Sequence, residues 1–147
     1  MLLEINNLFF SYNADRPLFQ NLNLKVDEGK VIALAGESGC GKSTLINLIY
    51  GLIDWEKGTI VFDGTPLLGP KGNIVPGEGS MKLVAQNYDL MPYATVGENV
   101  GKFISNINLA EKKEKVRELL AVVGLAEYED TLPKYLSGGQ QQRVAIA

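Results

Sequence analysis

The first part of the chain alternates apolar and polar residues, loosely over residues 2–10 and more clearly over residues 19–26. A period of two places successive side chains on opposite faces of a strand, and one apolar face is typical of half-buried antiparallel strands. Residues 59–62 form another short apolar stretch, and Asp63-Gly64 is a turn signal directly after it. The pattern therefore predicts three strands in these segments.

Two further strands are predicted by apolar runs that do not alternate. Residues 30–35 are apolar after an initial lysine, and a turn signal at residues 27–29 precedes them. Such a run is typical of a strand that is buried on both faces of a sheet. Residues 82–85 predict another strand that ends at Gln86, whereas the five glycines and three prolines of residues 64–80 predict an irregular loop.

Helical spacing occurs in two places. In the first, apolar residues recur three and four positions apart: Leu45, Leu48, Ile49 and Leu52. The second is an i, i+3, i+4, i+7 stripe made of Val116, Leu119, Leu120 and Val123. Asn108, three positions before Glu111, predicts a capping box that begins the second helix. Gly51 and Gly124 predict where the two helices end.

A complete phosphate-binding pattern, G-x-x-x-x-G-K-[ST], lies between the apolar run at 30–35 and the first predicted helix. It consists of Gly36, Glu37, Ser38, Gly39, Cys40, Gly41, Lys42, Ser43 and Thr44. Glycines let the backbone wrap closely and turn its N–H groups toward an anion. Lys42 can reach the β- and γ-phosphates of a nucleotide, Ser43 offers a hydroxyl to Mg²⁺, and the helix adds its positive end.

The alternative interpretation of this loop is a glycine-rich turn between two core elements. The order strand, glycine loop, helix is the context that a phosphate site requires, so the sequence favours binding of a nucleoside triphosphate with Mg²⁺.

The bulk composition adds little to this functional prediction. With 46% hydrophobic and 21% charged residues in 147, it is typical of a globular domain, and a net charge of −3 gives no reason to expect nucleic acid.

The lack of a targeting signal in the sequence and its single cysteine favour a cytoplasmic protein. No apolar run approaches the roughly 20 residues that span a bilayer, and the first residues lack the basic start and apolar stretch of a secretion signal. Cys40 is the only cysteine, so an internal disulfide is impossible and a reducing compartment is expected.

Ser137, Gly138, Gly139 and Gln140 form a second motif near the end of the sequence. Taken locally, Ser137 and Gln140 are a helix-capping pair. Together with a phosphate loop about a hundred residues earlier, the segment resembles the signature motif of the ABC-type ATPases. The whole chain resembles the N-terminal part of an ABC transporter nucleotide-binding domain, from its strand-rich start through the signature motif.

The resemblance implies an α/β fold: the sheet core of a P-loop NTPase with N-terminal antiparallel strands and a helical subdomain, interrupted before the family's Walker B strand. Residues 1–89 would form the nucleotide-binding core and residues 90–147 the helical subdomain. Tyr12 matches the aromatic residue that stacks on adenine, although an aromatic after a strand is also a common core residue. Gln86 matches the Q-loop glutamine that contacts Mg²⁺ and the attacking water, although a polar residue can simply end a strand. Lys42 and Gln86 are thus the expected catalytic residues.

The signature residues are expected to act on a partner. In the family, Ser137, Gly138, Gly139 and Gln140 would face the γ-phosphate that the opposite protomer holds in a head-to-tail homodimer or heterodimer. A helix N-terminus presents N–H donors and a positive dipole to such an anion. ATP would join the two halves and act on transmembrane permease subunits, which would hold the protein peripherally on the inner face of the membrane. The stretch from Val84 to Val100 resembles the importers of the family.

Several parts of the family pattern have no counterpart in these residues. The Walker B aspartate and glutamate and the switch histidine cannot be placed, and the sequence contains no histidine. We therefore expect residues 1–147 alone to hydrolyse ATP negligibly, and an unpaired core strand to promote self-association. Two alternatives stay open: a soluble ABC-type ATPase that acts on DNA or ribosomes, and a nucleotide-binding remnant without catalysis.

Overall fold

The computed structural model describes residues 1–13 and 15–147. It divides into two compact units, Met1–Lys82 and Leu83–Ala147. The first unit contains the sheet and the phosphate loop, and the second is helical. The sequence-based boundary between residues 89 and 90 stays a prediction.

The first unit contains a four-stranded antiparallel sheet. Its strands are β1 (Leu3–Asn13), β2 (Arg16–Val26), β3 (Lys57–Phe62) and β4 (Thr65–Pro66). They lie in the order β2-β1-β3-β4, and each neighbouring pair is antiparallel. The three strands predicted from the apolar patterns are therefore confirmed. Ile5 pairs with both Leu24 of β2 and Ile60 of β3, which places β1 at the centre of the sheet.

One helix, α1 (Lys42–Ile49), packs against this sheet. Leu45 and Leu48 of α1 are buried together with Ile5, Leu8 and Ile60 of the strands. Tyr50 is the C-cap of the helix, and Gly51 follows with a φ of +78°, as its position in the pattern predicts. The packing of α1 on β1 thus fixes the start of the helix, where the phosphate loop enters it.

Two predicted strands are not formed. Residues 30–35 and residues 82–85 have no strand conformation, and Val31 is 96% exposed. The predictions were wrong because an apolar run indicates burial, whereas a strand also needs neighbours that complete its hydrogen-bond ladder. Neither segment pairs with a strand in the part of the chain that the structure describes. Residues 64–80 form the expected irregular loop, apart from the two residues of β4.

The second unit is built from three α-helices and short 3-10 turns. The α-helices are α2 (Val96–Val100), α3 (Leu109–Val122) and α4 (Gly138–Ile146). The 3-10 turns lie at Gly101–Phe103, Ala126–Tyr128 and Pro133–Tyr135. Their common core consists of Val96, Val100, Val116, Leu120, Leu125, Leu136 and Val144. Within residues 1–13 and 15–147, no helix has the length and apolarity needed to cross a bilayer.

The ends of α3 follow the signals in the sequence. The Asn108 side chain accepts a hydrogen bond from the Glu111 N–H at 3.3 Å, although the reciprocal bond of a capping box is absent among the described residues. Gly124 has a φ of +69°, and the Leu125 N–H donates to the Leu120 carbonyl at 2.8 Å. This is the Schellman arrangement, which satisfies the last carbonyl groups of the helix.

Candidate nucleotide-binding site

The phosphate loop enters α1 through Gly41. This residue is the N-cap of the helix and has a φ of +102°. A β-carbon at this position would lie 2.9 Å from Phe19 Cζ and 3.1 Å from Leu18 Cδ2. Glycine is therefore required here for two reasons, since other residues would be strained in the backbone and would collide with β2.

Lys42 points its ammonium group back into the loop. Its Nζ atom donates hydrogen bonds to the carbonyl oxygens of Gly36 at 2.8 Å and Glu37 at 2.7 Å. The Cys40 Sγ atom lies 3.5 Å from the same nitrogen. The loop thus curls around a single positive charge, and residues 36–40 are exposed to solvent.

The start of α1 differs from the starts of the other helices. The side chains of Thr95, Asn108 and Ser137 cap α2, α3 and α4, each by accepting a hydrogen bond from a backbone N–H three positions on. Gly41 has no side chain that could do this for α1, and no acidic residue lies in the first turn. The first N–H groups of α1 are therefore available to an external acceptor such as a phosphate.

Strand β1 brings Tyr12 to this helix end. The Tyr12 hydroxyl lies 3.0 Å from Thr44 Oγ1, within hydrogen-bond distance. Tyr12 as a residue is 63% exposed, and its ring meets the ring of Phe10 edge-on at a centroid distance of 4.9 Å. The structure thus brings Tyr12 together with the phosphate loop, 32 positions along the chain, and leaves a face of the ring accessible.

The site offers few protein ligands for a magnesium ion. Within the described residues, no group of three or more His, Cys, Asp or Glu side chains is placed to hold a metal. Ser43 is exposed and supplies a hydroxyl oxygen beside the loop. That donor set suits Mg²⁺, which is commonly held by one or two protein oxygens together with substrate phosphates and water.

Gln86 belongs to the second unit and lies in a turn instead of at the end of a strand. Its side chain is exposed, and the turn is closed by the Tyr88 N–H, which donates to the Ala85 carbonyl at 3.0 Å. Tyr88 and Asp89 both have positive φ values, 61° and 48°. Two successive left-handed residues other than glycine store strain, which is a feature of functional loops.

The signature motif forms the capped start of α4. The Ser137 Oγ atom accepts from the Gln140 N–H at 3.3 Å, and the Gln140 side chain accepts from the Ser137 N–H at 2.8 Å. The predicted capping pair is thus confirmed. Gly138 and Gly139 are exposed, and a β-carbon at either would meet nothing within 4 Å. Packing inside this chain does not require glycine at these two positions, whereas close approach by an external group would.

One capping box in the second unit was missed by the sequence analysis. Thr95 and Glu98 bond reciprocally at the start of α2, and Asn99 donates to the carbonyl oxygens of Met91, Ala94 and Thr95. These bonds tie the segment after the Gln86 turn to α2. The signal was present, because a threonine followed three positions later by glutamate is the usual capping-box pattern.

Known proteins share both the sequence and the fold. The model of the ABC transporter family matches residues 19–147. The spermidine/putrescine import ATP-binding protein PotA of Pasteurella multocida is 38% identical, over 99% of this chain and 39% of that protein. The Fe(3+) ions import ATP-binding protein FbpC of Fusobacterium nucleatum is 36% identical, over 99% and 38%. The chain thus spans about two fifths of the length of these relatives.

Two solved structures superimpose on almost the whole chain. The cbiO1 protein of Clostridium perfringens, part of an ABC transporter complex, has a TM-score of 0.78 and 29% identity, over 99% of this chain and 59% of that one. A dimer of the cassette MJ0796 bound to ADP and Pi has a TM-score of 0.77 and 26% identity, over 99% and 67%. The α/β fold inferred from the motifs is confirmed, and the chain belongs to the ABC transporter family.

Proposed function

We propose that the chain is the ATP-binding part of an ABC transport protein, in which ATP binding and hydrolysis drive movement of a solute across a membrane. The observation that carries the proposal is the uncapped start of α1, which a glycine loop encloses around the ammonium group of Lys42. Backbone donors, a helix dipole and one cation converge there, and a polyphosphate is the ligand that uses all three.

Each residue of the site has a proposed role. The backbone of residues 36–44 would hold the phosphates, and Lys42 would neutralise charge on the β- and γ-phosphates. Ser43 would contribute a ligand to Mg²⁺, and the Tyr12 ring would stack on adenine. The resemblance to the family adds Gln86 as a contact of Mg²⁺ and of the attacking water. The metal would offset phosphate charge as the phosphoryl group is transferred to water.

The signature motif would complete a site on a second protomer. The open surface at Gly138 and Gly139 and the N-terminus of α4 support this assignment, and Ser137 and Gln140 flank that surface. A two-fold axis would then produce two equivalent composite sites, each with the phosphate loop of one protomer and the signature motif of the other. The solved dimer of the MJ0796 cassette supports a dimeric arrangement.

Transmembrane permease subunits are the proposed partners in transport, which would place the protein peripherally on the cytoplasmic face of the membrane. Import is the proposed direction, since the names of the relatives PotA and FbpC both describe import ATP-binding proteins. Their names give spermidine/putrescine and Fe(3+) ions as the imported solutes. Because similar ATP-binding chains serve different solutes, we infer that the permease subunits select the solute.

Calorimetric titration with ATP in the presence of Mg²⁺ tests the proposal. The unsubstituted chain is expected to bind ATP, and Lys42→Ala is expected to weaken the Kd by about ten-fold or more, because it removes a charge-assisted contact with phosphate. Lys71→Ala is the matched control, since Lys71 is an exposed lysine of the same unit outside the loop. Absence of binding by the folded chain, or equal loss in both variants, would refute nucleotide binding at this loop.

A further inference from the structure

We propose that the hydrogen bond between Tyr12 and Thr44 positions the aromatic ring for the base of a nucleotide, so that ATP affinity depends on the tyrosine hydroxyl as well as on the ring. This inference rests on the proposed function and extends it. It makes Tyr12 more than a stacking surface, and it gives Thr44 a role that is exerted through another side chain.

The Tyr12 ring is held at two points although most of it faces solvent. Its hydroxyl lies 3.0 Å from Thr44 Oγ1, and its ring meets the ring of Phe10 edge-on, with an interplanar angle of 84°. Phe10 is 5% exposed and belongs to the core cluster of the first unit. One anchor therefore lies in the core under β1, and the other lies in the first turn of α1.

Thr44 is a fixed point for this contact. It is 9% exposed, and its neighbour Leu45 is part of the same core. A threonine in a helix often bonds to the carbonyl oxygen four positions earlier. Among the described residues, the partner of the Thr44 hydroxyl is Tyr12 instead. The bond therefore joins the end of β1 to the helix turn that carries the phosphate-binding lysine and serine.

A ring that is already oriented loses less conformational freedom when a ligand binds. Without its hydroxyl, the Tyr12 ring would keep only its contact with Phe10, so it would sample more rotamers and binding would have to select one of them. The effect concerns ligands that present a flat base to the ring. Tripolyphosphate has the same phosphate chain and no base, so it gains nothing from the orientation of Tyr12.

A double-mutant cycle on the full chain tests the inference. Tyr12→Phe keeps the ring and removes the hydroxyl, and Thr44→Val removes the hydroxyl at nearly constant shape. We expect Tyr12→Phe to weaken the ATP Kd by about two- to ten-fold, with a smaller change for tripolyphosphate. In the Thr44→Val background the same substitution should have no further effect, whereas in the Thr44→Ser background, which keeps a hydroxyl, the loss should persist. Tyr93→Phe controls for the loss of an exposed tyrosine hydroxyl elsewhere.

The outcomes separate this inference from the function on which it rests. A wild-type chain that is folded and binds no ATP would overturn both. Wild-type binding with an unchanged Kd in Tyr12→Phe would overturn the inference alone, as would an equal loss in the Thr44→Val and wild-type backgrounds. Thermal melting of every variant shows which of them are folded, and Thr44→Ala, which also lacks the hydroxyl, replaces Thr44→Val in the cycle if Thr44→Val does not fold.

Discussion

The Nζ atom of Lys42 lies 2.7 Å from the carbonyl oxygen of Glu37, five positions earlier in the same loop. In this arrangement the lysine is a structural element of the loop as well as a charge. Carbonyl oxygens that hold an ammonium group must release it, or share it, when phosphate oxygens compete for the same donors. The geometry of the loop is therefore coupled to the position of one flexible side chain.

Replacement of Gly41 by alanine should destabilise the first unit. The substitution forces a left-handed backbone on alanine and places its β-carbon 2.9 Å from Phe19 Cζ. We expect the free energy of unfolding to fall by about 2–4 kcal/mol, measured by urea denaturation. Gly29→Ala is the control, because Gly29 also has a positive φ, +72°, and open space around it. A loss no greater than that of Gly29→Ala would show that the contact with β2 does not constrain the loop.

Alkylation of Cys40 should report occupancy of the loop. The thiol is exposed, and its Sγ atom lies 3.5 Å from Lys42 Nζ. A bound nucleotide would cover it, so labelling by N-ethylmaleimide should slow about ten-fold at an ATP concentration near ten times the Kd. The Lys42→Ala variant at the same concentration should show much less protection. Identical labelling rates with and without Mg²⁺ and ATP would contradict a nucleotide at this loop.

Substitutions of Ser137 should separate capping from anion binding. Ser137→Ala removes the acceptor for the Gln140 N–H and should lower stability by about 1 kcal/mol, measured by urea denaturation. Ser137→Asp keeps an acceptor at the N-cap, so its stability should return close to that of the wild type. The aspartate would nevertheless repel a phosphate held by a partner, and ATP-dependent dimerisation measured by light scattering should weaken. Equal dimerisation in Ser137→Asp and wild type would argue against the composite site.

Acid should abolish the contribution that the ion pair between Lys25 and Glu4 makes to the stability of the sheet. The Lys25 ammonium, 2.8 Å from Glu4 Oε1, holds the pKa of the Glu4 carboxyl below its usual range, mainly through the hydrogen bond and then through charge. A lowered pKa in the folded state means that the stabilisation is present above the pKa of the unfolded chain and is lost as the pH falls through the folded value. The difference in urea midpoint between wild type and Glu4→Gln should therefore shrink between pH 7 and pH 3. Glu114→Gln, at an exposed position of α3, should show no such change.

The exposed apolar segment at residues 30–35 should cause self-association. Val31 is 96% exposed, and the backbone of this segment joins no strand in the part of the chain that the structure describes. Unpaired backbone N–H and C=O groups in a segment with apolar side chains favour pairing with another chain. We expect light scattering to detect oligomers that Val31→Lys reduces, with little change in the thermal melting of the monomer. A compact monomer at all accessible concentrations would contradict this expectation.

Local patterns predicted the elements whose cause is local. Strands β1 and β2 alternate in sequence, and β3 is a short apolar stretch followed by a turn signal. Helices α1 and α3 show apolar spacing with glycines at their ends. Residues 30–35 could not be assigned in this way, because strand formation depends on hydrogen-bonding neighbours that a one-dimensional pattern does not reveal. The same limit applies to residues 82–85, where the chain turns at Gln86 without a preceding strand.

The sequence predicted the chemical groups of the site better than it predicted their arrangement in space. The motif predicted the residues of the phosphate loop and the capping pair of α4, since both depend on short spacings. The contact between Tyr12 and Thr44 spans 32 positions, and it arises only because β1 and α1 share one core. The collision that excludes a side chain at Gly41 likewise depends on β2, which is distant in sequence.

Because α1 has no side-chain cap, a bound phosphate would accept the hydrogen bonds that a capping side chain accepts in the other helices. Among the described residues, side chains of the chain itself cap the starts of α2, α3 and α4, whereas no side chain caps α1. A bound nucleotide would therefore stabilise the first helical turn and raise the free energy of unfolding. The increase follows mass action and reaches about 2.7 kcal/mol at a ligand concentration a hundred times the Kd. Cellular nucleotide levels would then determine how stable the first turn of α1 is.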